Sequence, residues 1–200
     1  MRMLGGSGCL FRANKFANMD VVSIQSDSTS SEMVVDADEP GCIAMIPFAE
    51  IYSSPRISIW CEQLGLRGCT SYDLDSGENF CEPADRAAVC AELQAGECRF
   101  LGCSNPCTVF SLAQGFTKYK RDPAVVHREW EEGMLHLRFS MMCIELQIAA
   151  SRFFFFEHPL GALSWQQDCV RRISDRSDVH FAEFDQCSYG LVCPRGKPIR

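Results

Sequence analysis

The chain reads as an α/β protein built on a largely parallel sheet, and three observations predict this. Short apolar runs alternate with stretches of helical periodicity from about residue 43 onward. The run Phe153–Phe156 is apolar throughout, as expected of a strand covered on both faces. Between residues 123 and 151, Val126, Trp130, Met134, Leu137, Met141, Glu145 and Ile148 recur at three- and four-residue steps, the signature of a long amphipathic helix.

Taken in order, Ile43–Ile51 is apolar and reads as the first strand of that sheet. Ser53-Ser54-Pro55 opens a helix through Ile59, Trp60, Leu64 and Leu66, with proline near its first turn. Cys69–Leu74 is a short second strand that ends in acid, and Pro83–Leu93 has a helical pattern. Cys98–Cys103 is a third strand running straight into Ser104-Asn105-Pro106-Cys107. After the long helix come the strand Arg152–Phe156, a helix over Trp165–Ile173 and a last alternating strand over Val179–Phe184. Right-handed crossovers would bring the C-terminal ends of these strands to one rim, where ligands of such sheets bind.

Residues 1–40 read as a separate disordered arm, and residues 41–200 as the α/β domain. Ser23–Pro40 is rich in serine, then in Asp36, Asp38 and Glu39, and such a stretch buries too little apolar surface to offset chain entropy. There are 200 residues, 46% of them hydrophobic and 22% charged, enough to build a real core. Mean hydropathy is -0.07, and no apolar run approaches the roughly 18 residues of a membrane span. With no secretory pattern at the N-terminus, the expectation is a soluble intracellular protein, nuclear or cytoplasmic, without a membrane partner.

Thirteen cysteines are scattered and odd in number, which predicts free thiols rather than a disulfide framework. No Cys-x-x-Cys pair is present, so no metal site is expected. The net charge of -7 offers no global attraction to a polyphosphate. Nucleic-acid contact would have to be local, through Lys118, Lys120 and Arg121, through Arg171 and Arg172, or through Arg195, Lys197 and Arg200. Each of these also reads as part of a solvated charged face.

Three blocks carry potential chemistry: Cys103-Ser104-Asn105-Pro106-Cys107-Thr108-Val109-Phe110-Ser111, Phe155-Phe156-Glu157-His158-Pro159, and Asp185-Gln186-Cys187-Ser188-Tyr189-Gly190. A cysteine in a turn that enters a helix N-terminus has its pKa lowered, which suits a nucleophile at Cys107. A carboxyl beside apolar surface has its pKa raised, which suits a proton donor at Glu157. The plainer readings are a packing cysteine and a Glu157 paired with Arg152 or another arginine near the rim.

Here the residues resemble a known family. The Pro106-Cys107 turn with Phe110-Ser111 resembles the nucleophile loop of DNA (cytosine-5) methyltransferases. Glu157 with its flanking residues is similar to their Glu-Asn-Val strand end, and Ser188-Tyr189-Gly190-Leu191 with Pro194-Arg195 to their Tyr-Gly-x-Pro-Gln-x-Arg region. A closer resemblance is to methyltransferase-like segments of retroelement (Copia-type) polyproteins of protists. It is carried by Ser54-Pro55-Arg56, Gln63-Leu64-Gly65-Leu66, Tyr72-Asp73-Leu74 and, most specifically, the run Phe155 through Trp165.

The resemblance implies a Rossmann-like S-adenosylmethionine-dependent methyltransferase fold over residues 43–200. It implies that Cys107 attacks carbon 6 of a cytosine while Glu157 protonates ring nitrogen 3. Carbon 5 then takes a methyl group from S-adenosylmethionine, held by Ser53, Ser54, Asp73 and Pro106. A duplex target base would be flipped out. The chain departs from the family at Tyr52–Arg56, which lacks glycine, at Asn105 in place of Pro and at His158 in place of Asn. Between residues 75 and 97 the family's further strand and acid have no clear counterpart. Two expectations follow: an active methyltransferase on nucleic acid, or a catalytically inactive retroelement fragment serving as a structural or interaction module. A third, a thiol redox or Cys-dependent hydrolase, needs a base beside Cys107 from His127, His136, His158 or His180.

Overall fold

A computed structural model describes residues 6–12 (backbone only), 47–95 and 98–185. Six strands form one sheet: β1 (Gly6–Arg12), β2 (Phe48–Ile51), β3 (Thr70–Tyr72), β4 (Phe100–Cys103), β5 (Phe153–Pro159) and β6 (Val179–Asp185). The helices are α1 (Ile57–Gln63), α2 (Pro83–Ala95), α3 (Pro123–Ala149) and α4 (Asp168–Ser174), with short 3-10 turns between β4 and α3 and before α4. The strand order is β3-β2-β4-β5-β1-β6. The four strands β3, β2, β4 and β5 are mutually parallel, which fits the α/β expectation and is compatible with a Rossmann-like fold.

One departure lies at the start of the chain. β1 inserts antiparallel between β5 and β6, Leu10 facing Phe156 on one side and Phe181 on the other. Residues 6–12, expected within a disordered arm, therefore belong to the sheet. The physical reason is that β5 and β6 each present an open row of backbone donors and acceptors, which a strand placed between them satisfies on both sides. The Ser-rich acidic stretch 23–40 lies outside the described residues.

The long helix forms as its pattern predicts. The Asp122 side chain accepts a hydrogen bond from the Ala124 N–H at 2.9 Å, and Pro123 occupies the first turn, where its missing N–H costs nothing. At the other end Ser151 takes a left-handed φ of 57° and the Arg152 N–H returns to the Gln147 carbonyl at 2.8 Å, closing the helix. Along α3, Met134, Leu137, Met141, Cys143 and Ile144 are buried against Leu101, Cys103, Phe154 and Phe156 of the sheet. Each fully buried Phe or Leu there contributes about 1.5–3 kcal/mol. Gln147 is buried with them, its amide donating to the carbonyls of Cys98 and Phe153, both at 3.0 Å, and so ties the starts of β4 and β5 to the helix.

The opposite face of the sheet carries Phe48, Phe100, Phe153 and Phe155, with Phe48 and Phe155 stacked at 6.4 Å. Gly102 makes room for this ladder, since a Cβ there would stand 2.6 Å from the Phe155 ring. α1 differs from a core helix. Ser58 is its buried residue, while Ile59, Trp60, Leu64 and Leu66 around it are exposed. Among the described residues no helix is long and apolar enough to cross a membrane.

Candidate functional site

The chain runs from β2 out to β3 on one side and then to β4 on the other side of β2. The loops leaving β2 and β4 therefore diverge at the C-terminal ends of the strands, the place where ligands of such sheets bind. Both loops are anchored by continued strand-like bonds: the Tyr52 N–H donates to the Tyr72 carbonyl at 3.0 Å, and the Ser104 N–H to the Ile51 carbonyl at 3.2 Å. Asp73, Ser53 and Cys107 follow parallel strands on this rim, and Glu157 lies on β5 one residue past its last pairing with β4, so all four sit on one rim, as the sequence predicts.

The first loop is shaped without glycine. Tyr52 itself takes a left-handed φ of 63°, which costs an L-residue on the order of 1–2 kcal/mol. Its ring repays this by packing edge-on to Phe80 at 4.8 Å and to His136 at 5.3 Å. Ser54 Oγ donates to Asp75 at 2.8 Å, joining the loops after β2 and β3, and Ser71 Oγ donates to the Ser53 carbonyl. Asp73 is half-buried, its carboxylate accepting from the Asp75 N–H at 3.2 Å.

Glu50, on β2, is buried and fills the start of α1. Its carboxylate accepts from the N–H groups of Arg56 at 2.9 Å and Ser58 at 3.0 Å and from the Ser58 hydroxyl at 2.5 Å. Burial alone would raise its pKa, but the bonds from Ser58 and Arg56 outweigh it and hold the carboxyl below the usual range, ionised at neutral pH.

The Pro106-Cys107 turn does not enter an α-helix. Cys107 heads a 3-10 turn over Thr108–Phe110, and further 3-10 turns lead to α3. The expected lowering of its pKa is therefore reversed: burial pushes the half-buried thiol up, and the negative field of Glu157 adds to it. A three-residue turn aligns too few peptide dipoles to compensate. Asn105, just before the turn, is buried with both side-chain amide atoms unpartnered.

Side chains alternate along β5, so the half-buried Glu157 and the buried His158 point to opposite faces. His158 lies between Phe156, Phe110 and Trp165, and its Nδ1 meets Ser164 Oγ at 2.5 Å. Its Nε2 is buried without a hydrogen-bond partner. Burial drives its pKa down to about 4, so the imidazole is neutral.

Two cavities flank the turn. One, of about 790 Å³, is lined by Val109, Leu112, Tyr119, Trp130 and Leu163, and by Lys118 and Arg121. Arg121 is paired with Glu129, while Lys120 is exposed. The second, of about 410 Å³, is lined by Pro106 and Thr108, which flank Cys107, and by Glu132 and His136. Arg195 and the block from Gln186 to Gly190 lie outside the described residues.

The cluster that sequence reasoning missed borders this second cavity. Cys81 Sγ lies 3.8 Å from Glu132 Oε1 and 3.7 Å from His136 Nε2, and Glu132 Oε1 lies 3.9 Å from that nitrogen. The signal was the i,i+4 pair on α3, which places Glu132 and His136 on one helix face. Among the described residues, His136 meets a thiol, that of Cys81. The described cysteines are all free thiols.

No family model, no curated protein and no solved structure matches this chain.

Proposed function

We propose that this chain is a cytosine-5 methyltransferase-like domain that works on a pyrimidine of nucleic acid with S-adenosylmethionine. The observation that carries the reading is the placement of the Pro106-Cys107 turn just after β4 and of Glu157 on the adjacent parallel strand β5, one residue past its last pairing with β4, on one rim of the sheet. Attack on an aromatic pyrimidine needs a soft nucleophile and simultaneous neutralisation of the charge that develops on the ring. Cys107 Sγ forms the bond to carbon 6 as its thiol proton passes to the Glu157 carboxylate, and Glu157 delivers that proton to nitrogen 3. Lys118, Lys120 and Arg121 offer local cationic contacts to a strand of otherwise repelled polyphosphate.

The residues of this rim fit this cofactor better than a dinucleotide. The ionised Glu50 already takes the N–H groups that begin α1, so a pyrophosphate finds no donors and meets a like charge there. S-adenosylmethionine carries no phosphate and has a cationic sulfonium. Ser53, Ser54, Asp73 and Pro106 would hold it, Asp73 at its ribose. When bound it supplies the methyl group.

A second reading, a catalytically inactive module of a retroelement polyprotein, is favoured by the raised Cys107 thiol, which is protonated at neutral pH. Calorimetric titration with S-adenosylmethionine, followed by incubation with 5-fluorocytosine DNA, separates the two. The active reading expects binding and a covalent adduct that Cys107→Ser abolishes and Glu157→Gln slows strongly. An adduct persisting in Cys107→Ser overturns the nucleophile. Neither binding nor adduct leaves the inactive module.

A further inference from the structure

We infer that Cys81, Glu132 and His136 form a zinc site with an open fourth position, separate from the Cys107–Glu157 pair. The three ligand atoms form a nearly equilateral triangle with sides of 3.7, 3.8 and 3.9 Å. A point equidistant from its corners is about 2.2 Å from each, matching Zn–S of about 2.3 Å and Zn–N and Zn–O of about 2.0–2.2 Å. One sulfur, one imidazole nitrogen and one carboxylate oxygen suit a borderline metal and not magnesium or calcium, which take oxygen ligands. Thiolate and carboxylate together neutralise the dication.

The supports behind the ligands are in place. Tyr52 Oη lies 2.9 Å from His136 Nδ1 and donates to the His136 carbonyl at 3.5 Å. With its own proton so engaged, the hydroxyl accepts from Nδ1–H and leaves the Nε2 lone pair facing Cys81 Sγ. This outer hydrogen bond is the kind that orients ligating histidines. The Cys81 backbone is held by Asn79, whose side chain accepts its N–H at 3.1 Å, and by Arg86, which donates to its carbonyl at 3.0 Å. The left-handed Tyr52 thus has a use, since that backbone turn delivers its hydroxyl to His136. Cys81 and Glu132 are exposed, so the ion has a path in and room for a water. Binding forms the Sγ–Zn, Oε1–Zn and Nε2–Zn bonds and releases the Cys81 thiol proton to solvent, with no change of oxidation state.

Cobalt(II), titrated into the chelator-treated full chain, serves as the optical probe. The expected result is one ion per chain, a thiolate-to-cobalt charge-transfer band with tetrahedral visible bands, and bleaching on addition of zinc. Cys81→Ser should remove the thiolate band, while His136→Ala and Glu132→Gln should each weaken binding at least tenfold. Tyr52→Phe should keep the band but weaken affinity about tenfold or more. Glu132 is exposed and its substitution leaves the core intact, so Glu132→Gln reads the site even where another variant fails to fold. No cobalt uptake by the parent chain, a full thiolate band in Cys81→Ser, or loss of that band in Cys69→Ser instead would overturn the inference.

Discussion

Gly133 of α3 lies directly under Val109, so close that a Cβ on the glycine would stand 2.3 Å from a Val109 methyl carbon. The turn that carries Cys107 is thereby docked on the backbone of the longest helix. In an exposed helix interior, Gly→Ala stabilises by up to about 1 kcal/mol. Here the close atom is a methyl of β-branched Val109, whose χ1 has few wells to turn into, while its Cβ and Phe110 stand at ordinary contact distance. Gly133→Ala should therefore destabilise by about 1–3 kcal/mol, read from the urea midpoint. A stabilised Gly133→Ala would show that the turn is not seated on the helix.

Cys107 should alkylate slowly at neutral pH, because burial and then Glu157 raise its pKa. Glu157→Gln removes the negative charge and leaves the burial. Iodoacetamide labelling of Cys107 at pH 8, followed by mass spectrometry, should then rise roughly twofold or more as the thiolate fraction grows. An unchanged rate would mean that the two side chains do not sense each other.

His158 should make the fold sensitive to mild acid. Its pKa falls from 6.5 to about 4 on folding, so the unfolded chain binds the proton more readily. Its contribution is fully present above pH 6.5 and is lost as pH drops toward 4, by about 3 kcal/mol at the limit. Glu50, with its lowered pKa, acts in the same direction but only below the usual value of 4.5. Urea midpoints measured between pH 7.5 and 4.5 should fall in the parent and fall less steeply in His158→Phe, which keeps the ring stacking against Phe156. Parallel curves for the two proteins would assign the sensitivity elsewhere.

Much of the sheet was legible because its signals are local. The period of α3 and the unbroken apolar run of β5 depend on neighbouring residues alone, and alternating elements then bring Asp73, Cys107 and Glu157 to one rim. What was not legible depends on partners distant in sequence. Gly6–Arg12 has little strand character of its own and is a strand because β5 and β6 flank it. Cys81 sits in an aperiodic turn, and Glu132 with His136 looks like any solvated helix face until that turn lands on it. The sign of the Cys107 shift was missed for a similar reason: sequence shows a turn but not how deeply the turn is buried.

The seating of β1 has a consequence for how the chain acquires its fold. β1 leaves the ribosome before the other strands of this sheet, yet pairs with β5 and β6, whose residues are made in the last quarter of the described chain. Until then it has no hydrogen-bonding partner, and the entropy of closing so long a loop is met late. β2, β3 and β4 can assemble without it, but the seam between β5 and β6 stays open. Starting the chain at residue 41 would make that seam permanent, exposing two strand edges to other molecules and turning a folding delay into a tendency to aggregate.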